Sequence, residues 1–204
     1  MRSAARLLKR GVVDLYWTLR GPRIQVPAIP ANPRSMLFVC KGNICRSPFA
    51  EHIALKLQGE GLVSGMKFGS AGLDVPKSIS SPNEAIHGAK LYGIHLENHR
   101  SQSISLDLVE SYDMIIAMEA WQYAARQSSF RRHHEKLLLS PSLGPKEPVK
   151  YRGCAVRNIQ GPYGGLPNVP EECFDPVSIC LIHHLSLKCD RVHAPMPNRL
   201  WTMM

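Results

Sequence analysis

Cys40 and Arg46 stand six residues apart in the run Val39-Cys40-Lys41-Gly42-Asn43-Ile44-Cys45-Arg46-Ser47-Pro48. A thiol and a guanidinium at that spacing suit covalent transfer of a phosphoryl group. The thiolate is the nucleophile, and free cysteine titrates near ~8.5, so the sulfur needs help to ionise near neutral pH. The phosphoryl oxygens need several donors fixed in one place. Arg46 offers a planar fork that grips two of those oxygens. Ser47 offers a hydroxyl that can donate to the Cys40 sulfur. Successive backbone N–H groups curling into a nest, with a helix N-terminus behind them, stabilise a thiolate and a bound phosphate alike. Gly42 and Asn43 tolerate the left-handed backbone angles of a tight cradle. The candidate phosphate-binding loop is therefore Cys40, Lys41, Gly42, Asn43, Ile44, Cys45, Arg46 and Ser47. The rival reading of Cys40 is a buried structural cysteine. Of the six cysteines, only Cys40 has an arginine six residues on. An apolar run before it and Ser-Pro after it add weight to the reactive reading.

Such a loop must join a strand to a helix. Residues 36–39 form a continuous apolar run, the pattern of a strand buried on both faces. Pro48 suits the first turn of a helix whose inward stripe is Ala50, Ile53, Ala54 and Leu57. Further strands are expected at residues 67–70, ending at Ala71-Gly72, at 113–118 and at 136–139. A helix is expected after Ser81 as N-cap and Pro82 at its first position, lined by Ala85, Ile86 and Ala89 and stopped by Gly93. Another is expected near residues 119–127. A last helix opens at Pro170 and carries Cys173, Phe174, Val177, Leu181 and Leu185 on one stripe. Strands alternating with helices imply a doubly wound α/β sandwich around a four-stranded parallel sheet. Ligands of such sheets bind beyond the carboxyl ends of the strands, where Cys40 follows the first strand.

The 204 residues suit one domain with short extensions, and 44% apolar with 20% charged residues is ordinary for a globular protein. No apolar run approaches the ~20 residues of a membrane-spanning helix. Residues 1–34 carry seven basic side chains against Asp14, most of the chain's formal +9. Within them residues 3–20 read as an amphipathic helix and residues 21–33, with four prolines, as an extended linker. The division expected is a basic arm and linker at 1–34, a catalytic domain at 35–189 and a loose tail at 190–204. The arm is read as a solvated extension, with an anionic membrane surface as its alternative partner; no nucleic-acid partner is expected. Without an export signal, the cysteines imply a reducing, cytoplasmic setting.

The run VCKGNICRSPFAE resembles the signature of the low-molecular-weight protein-tyrosine phosphatases. The resemblance continues through Ser70-Ala71-Gly72, Gly93-Ile94, His99-Arg100-Ser101, DMIIAME from Asp113, and Gly161-Pro162-Tyr163-Gly164. It implies the phosphotyrosine phosphatase I-like fold and hydrolysis of phosphotyrosine, in a protein or a small aryl phosphate, through a phosphocysteine. It implies Cys40 as nucleophile, Arg46 as phosphate clamp and Ser47 as thiolate stabiliser. Asn43 would hold the loop in its strained shape, supported by Ser70 and His99. Ile44 would leave room for an aromatic substrate, where arginine-phosphate phosphatases of the family tend to carry threonine. Tyr163 would be an aromatic wall beside the substrate ring. Cys45 would trap an oxidised Cys40 as a disulfide, or else pack the loop. No metal or organic cofactor is implied.

The pattern breaks at Gly161, where the family carries an aspartate that protonates the leaving phenolate and then activates water. Loss of a general acid costs ~10²–10⁴-fold in rate. Glu171, Glu172 and Asp175 offer no convincing replacement, and Asp175 is expected to be a surface or helix residue. A phosphotyrosine-binding module or substrate trap is therefore a second reading. A third is arsenate reduction, which needs a relay of further cysteines; Cys154, Cys173, Cys180 and Cys189 match no relay positions. Cys180, His183, His184 and Cys189 read as a helix interior rather than a zinc site. His133-His134 beside Arg131-Arg132 reads as a solvated basic loop.

Overall fold

The computed structural model describes residues 27–129, 131–144 and 173–186, together with Val12 and Tyr16, which are helical and exposed. The expected arm, the segment carrying Gly161 and Tyr163, and the expected tail otherwise lie outside the described residues. Four strands, β1 (Ser35–Cys40), β2 (Lys67–Gly72), β3 (Met114–Ala117) and β4 (Leu137–Leu139), form one sheet in the order β2-β1-β3-β4, with every pair parallel. The helices are α1 (Arg46–Gly59), α2 (Asn83–Lys90), α3 (Leu106–Glu110), α4 (Ala120–Ser129) and α5 (Asp175–Ser186).

Alternation along the strands divides the core in two. Met36, Phe38 and Cys40 of β1 and Met114 and Ile116 of β3 face one cluster with Phe49, Ile53 and Leu57 of α1, Ala85 and Ala89 of α2, and Val177 and Leu181 of α5. Leu37, Val39, Ile115 and Ala117 face the other, with Val109 of α3 and Tyr123 of α4. Burying each large apolar side chain contributes ~1.5–3 kcal/mol. Both faces of the sheet are thus covered, as a continuous apolar run in β1 demands. Among the described residues no helix is long and apolar enough to cross a membrane.

Local details place the strand ends. The Asp113 carboxylate accepts from the Arg34 N–H at 2.8 Å and the Ser35 hydroxyl at 3.0 Å, tying the starts of β1 and β3 together. Helix α2 ends in a Schellman motif: Gly93 has φ 67°, its N–H reaches the Lys90 carbonyl, and the Ile94 N–H reaches that of Ala89. The start of α2 differs from expectation by one residue. Pro82, in extended conformation, is the N-cap and its carbonyl accepts from Ala85 and Ile86, while the buried Ser81 hydroxyl caps nothing. The short α3 was not expected, because only Val109 of its five residues is buried and no apolar stripe announces it.

Helix α5 follows a wide turn at Cys173 and Phe174, and all five residues of the expected stripe are buried. Asp175 is not on the surface. It is 6% exposed, and the Tyr92 hydroxyl donates to its carboxylate beside the Phe49–Phe174 stack. His183 Nδ1 lies 3.0 Å from the Leu143 carbonyl, and the Cys180 sulfur packs against Gly144, so these side chains join α5 to the segment after β4. His133 is half-buried near Glu110, whereas Arg132 and His134 are exposed.

Candidate active site

Cys40 is the last residue of β1, and α1 begins at Arg46, so the intervening loop lies at the carboxyl edge of the sheet. An α-helix leaves the N–H groups of its first turn without intrahelical carbonyls. Here that turn opens with Arg46 and Ser47, directly after the loop, Pro48 having no N–H to satisfy, and the Cys45 side chain at the N-cap makes no capping bond. The free end of the dipole favours negative charge in the loop.

Gly72 lets the loop sit close to β2. A Cβ there would come within 2.9 Å of both the Gly42 carbonyl carbon and the Asn43 nitrogen. Past β2, the Leu73 and Asp74 N–H groups donate to the Cys40 and Lys41 carbonyls at 3.0 and 2.9 Å. The loop is thereby fastened to the strand that follows α1.

Asn43 is the hub. It is fully buried and has φ 52°, the only non-glycine residue at positive φ among the described residues. Its Oδ1 accepts from the Gln102 N–H at 2.9 Å. Its Nδ2 donates to the hydroxyls of Ser70 at 2.8 Å and Ser47 at 3.0 Å. Its carbonyl accepts from His99 Nε2 at 2.7 Å. Ser70 in turn donates to the Glu51 carboxylate at 2.6 Å. Burial holds the His99 imidazole below its ordinary titration range, although its bond to Asn43 pulls the other way. A neutral ring still supplies the N–H that Asn43 needs.

Cys40 is 3% exposed, and its sulfur lies beside this ring. The Asn43 N–H donates to it at 3.3 Å. Ser47 Oγ lies 3.0 Å from it. Because Asn43 Nδ2 donates to that oxygen, the hydroxyl proton turns outward; the sulfur is nearer than the alternative acceptor, the Ala71 carbonyl at 3.4 Å. Both donors favour negative charge on sulfur.

Arg46, 5% exposed, pairs with the carboxylate of Glu119 at the end of β3. Burial opposes the guanidinium charge, but Glu119 and Cys40 outweigh it and keep the arginine firmly protonated. Gln122, wholly buried, accepts from the N–H groups of Met118 and Glu119 and donates to the Glu119 carboxylate at 2.9 Å. Glu119 is therefore aimed before any anion arrives. A ring of this kind can bind a tetrahedral oxyanion with sulfur beneath it and a buried cation beside it.

The structure brings the expected loop residues together with Ser70 and His99. Lys41 is exposed, with its ammonium 3.9 Å from Asp74. Ile44 is buried, its side chain over Gly42. Cys45 is buried and its thiol meets that of Cys173; burial first and Cys173 second push the Cys45 thiol up. By sequence position Cys173 matches no relay cysteine, and its contact with Cys45 is visible only in the fold. Tyr163 and Gly161 lie outside the described residues, as do Glu171 and Glu172. Glu119, Gln122, Glu51 and Gln102 were not singled out from the sequence. Glu119 had one usable signal: it closes a buried apolar run at the same sheet edge as Cys40. Among the described residues no cluster of three or more His, Cys, Asp or Glu side chains could hold a metal ion.

A family model described as Low molecular weight phosphotyrosine protein phosphatase matches residues 35–166. The chain is similar to the low molecular weight protein-tyrosine-phosphatase Etp of Escherichia coli K12, 35% identical over 86 residues, covering 42% of this chain and 55% of that protein. The matched stretch thus spans about half the length of such curated relatives. The crystal structure of Erwinia amylovora tyrosine phosphatase AmsI aligns with a TM-score of 0.65 at 22% identity, over 80% of this chain and 98% of that one. The YwlE arginine phosphatase from Geobacillus stearothermophilus aligns with a TM-score of 0.64 at 22% identity, over 79% and 100%. At these identities the two structures speak for the fold. With the family match running from the first residue of β1 through the loop, α1 and the rest of the sheet, the chain belongs to the low molecular weight phosphotyrosine protein phosphatase family.

Proposed function

We propose that this chain hydrolyses phosphotyrosine, in a protein or a small aryl phosphate, through a phosphocysteine on Cys40. The observation that carries the reading is the Cys40 sulfur, held between the Asn43 N–H and the Ser47 hydroxyl at the floor of a loop flanked by Arg46. Bound phosphate would take its donors from the N–H groups of the loop and from the Arg46 fork. The sulfur attacks phosphorus and the aryl oxide leaves. Water then cleaves the S–P bond, regenerating the thiolate and releasing inorganic phosphate. Ile44 and Tyr163 would shape the space for an aromatic ring.

Gly161 favours a second reading, a slow enzyme that acts as a phosphotyrosine trap. Tyrosine's phenol has a pKa near ~10, so its oxide leaves poorly without a proton. Asp175 does not supply one, since its carboxylate is buried on the Tyr92 hydroxyl. The discriminating assay measures phosphate release from phosphotyrosine and from p-nitrophenyl phosphate by the native chain, Cys40→Ser and Gly161→Asp. The hydrolase reading expects native activity on both substrates and none in Cys40→Ser. The trap reading expects native activity on p-nitrophenyl phosphate only, with Gly161→Asp raising phosphotyrosine turnover by ~10²-fold or more. No release from either substrate by the native chain rejects the hydrolase reading. The arsenate-reductase reading requires thiol-dependent arsenate consumption that Cys154→Ser or Cys173→Ser abolishes. A cytoplasmic setting and a membrane contact of the basic arm belong with these proposals.

A further inference from the structure

The hydrolytic route leaves two buried sulfurs unused. Cys45 is the N-cap of α1, yet its side chain makes no capping bond and instead meets Cys173, which has no solvent exposure. The seat of Cys173 is fixed independently of that contact. The Phe49 N–H bonds the Cys45 carbonyl, so Phe49 lies one helical turn above Cys45 on the same face. Phe174 stacks on Phe49 with ring centroids 3.9 Å apart. The residue before Phe174 is thereby held over the first turn of α1. Cys40, Cys45 and Cys173 belong to one packed cluster, and Cys40 is close enough to act on the Cys45 thiol electrostatically.

We propose that Cys45 and Cys173 form a resolving pair that returns an oxidised Cys40 to its thiolate and ends as a Cys45–Cys173 disulfide. The inference rests on Cys40 being the reactive sulfur and takes a peroxide as oxidant. The Cys40 thiolate attacks hydrogen peroxide, forming the sulfenic acid and releasing hydroxide. The Cys45 thiol displaces the hydroxyl as water, forming the Cys40–Cys45 disulfide. The Cys173 thiol then attacks the Cys45 sulfur, expelling Cys40 as thiolate and giving its proton to the hydroxide. One peroxide is reduced to two waters while two thiols become one disulfide.

The order of events follows from the surroundings. Cys40 and Cys45 are almost equally shielded and Cys173 has no exposure, so what sets Cys40 apart is the Asn43 N–H and the Ser47 hydroxyl on its sulfur, while burial pushes the Cys45 thiol up. Exchange favours expulsion of a sulfur that has hydrogen-bond donors to receive it, and Cys40 has the Asn43 N–H at 3.3 Å and the Ser47 hydroxyl at 3.0 Å. A Cys40–Cys45 disulfide alone would leave the nucleophile blocked; the third sulfur frees it.

The test treats the native full chain with stoichiometric hydrogen peroxide, blocks remaining thiols with N-ethylmaleimide during unfolding, and maps disulfides by peptide mass spectrometry. Activity on p-nitrophenyl phosphate is read before and after peroxide. The relay predicts Cys45–Cys173 linked peptides, maleimide on Cys40 and retention of more than about half of the activity. Cys173→Ser and Cys173→Ala should instead yield Cys40–Cys45 and lose activity at least about tenfold, recoverable with dithiothreitol. Cys40→Ser should form no Cys45–Cys173 bond at the same peroxide dose. A native map in which Cys40 stays in a disulfide or is over-oxidised overturns the relay, and so does rapid Cys45–Cys173 formation in Cys40→Ser. The native map needs no variant to fold. Absence of phosphatase activity before peroxide would count against the hydrolase reading, while the disulfide map still decides the relay.

Discussion

Asn43→Ala is the substitution that strains the site most informatively. The side chain makes three hydrogen bonds at 2.8–3.0 Å, two buried ones to Ser47 and Ser70 and a partly buried one from Gln102. Each contributes a net ~1 kcal/mol, and two of the partners left behind, Ser47 and Ser70, are themselves buried. Alanine at φ 52° adds about 1 kcal/mol, because it lacks the short polar side chain that lets asparagine visit the left-handed region. The expected loss is about 4 kcal/mol, a large share of the ~5–15 kcal/mol that holds a domain folded. Urea denaturation monitored by tryptophan fluorescence measures it. Asn43→Gly removes the same three bonds but relieves the backbone, and glycine's own entropic cost of ~0.5–1 kcal/mol cancels most of that relief. Both variants should therefore fall by similar amounts. Turnover of p-nitrophenyl phosphate should drop at least about tenfold, the equivalent of ~1.4 kcal/mol, as the Ser47 hydroxyl loses the donor that turns it toward Cys40. A loss under about 1 kcal/mol with unchanged turnover would refute the hub role. Recovery of most of the stability by Asn43→Gly would show that backbone conformation, and not the hydrogen bonds, carries the effect.

Glu119→Gln should destabilise the phosphate-free protein by about 3 kcal/mol, since it leaves the buried Arg46 charge facing a neutral group. Inorganic phosphate should restore part of the loss by supplying the missing charge; equal urea midpoints with and without phosphate would contradict this. His99 has a folded pKa below its ordinary 6.5 because of burial, so the unfolded chain takes up the proton first. Its contribution is full above ~6.5 and is lost as pH falls through the folded value. His99→Gln can donate to the Asn43 carbonyl without titrating, so its stability should fall less between pH 7 and pH 5 than that of the native chain. Parallel pH profiles would exclude this role.

Much of the fold was readable from short-range pattern. The apolar runs ending at Cys40, Ala117 and Leu139 could only be strands covered on both sides, and all three are buried throughout. The loop was readable because its chemistry lies within one stretch of chain. The groups that aim the loop come from elsewhere, and pattern does not reveal them. Glu119 reaches Arg46 because β3 lies beside β1, a fact of sheet order. Gln102 reaches Asn43 because the chain after α2 runs back along the end of β2, where Gly72 and Ile104 bond. Asp175 is a helix residue as expected, opening α5, but its burial could not be read because the tyrosine that holds it is distant in sequence. Cys173 was correctly read as part of a buried stripe, but no stripe says which sulfur lies opposite.

The central claim is that the Cys40 sulfur receives a phosphoryl group. Rapid mixing with p-nitrophenyl phosphate, acid quenching and peptide mass spectrometry test it directly. One phosphoryl group should appear on the Cys40 peptide before free phosphate and be absent from Cys40→Ser. Phosphate release with no phosphorylated cysteine at any time, or undiminished release by Cys40→Ser, would contradict it.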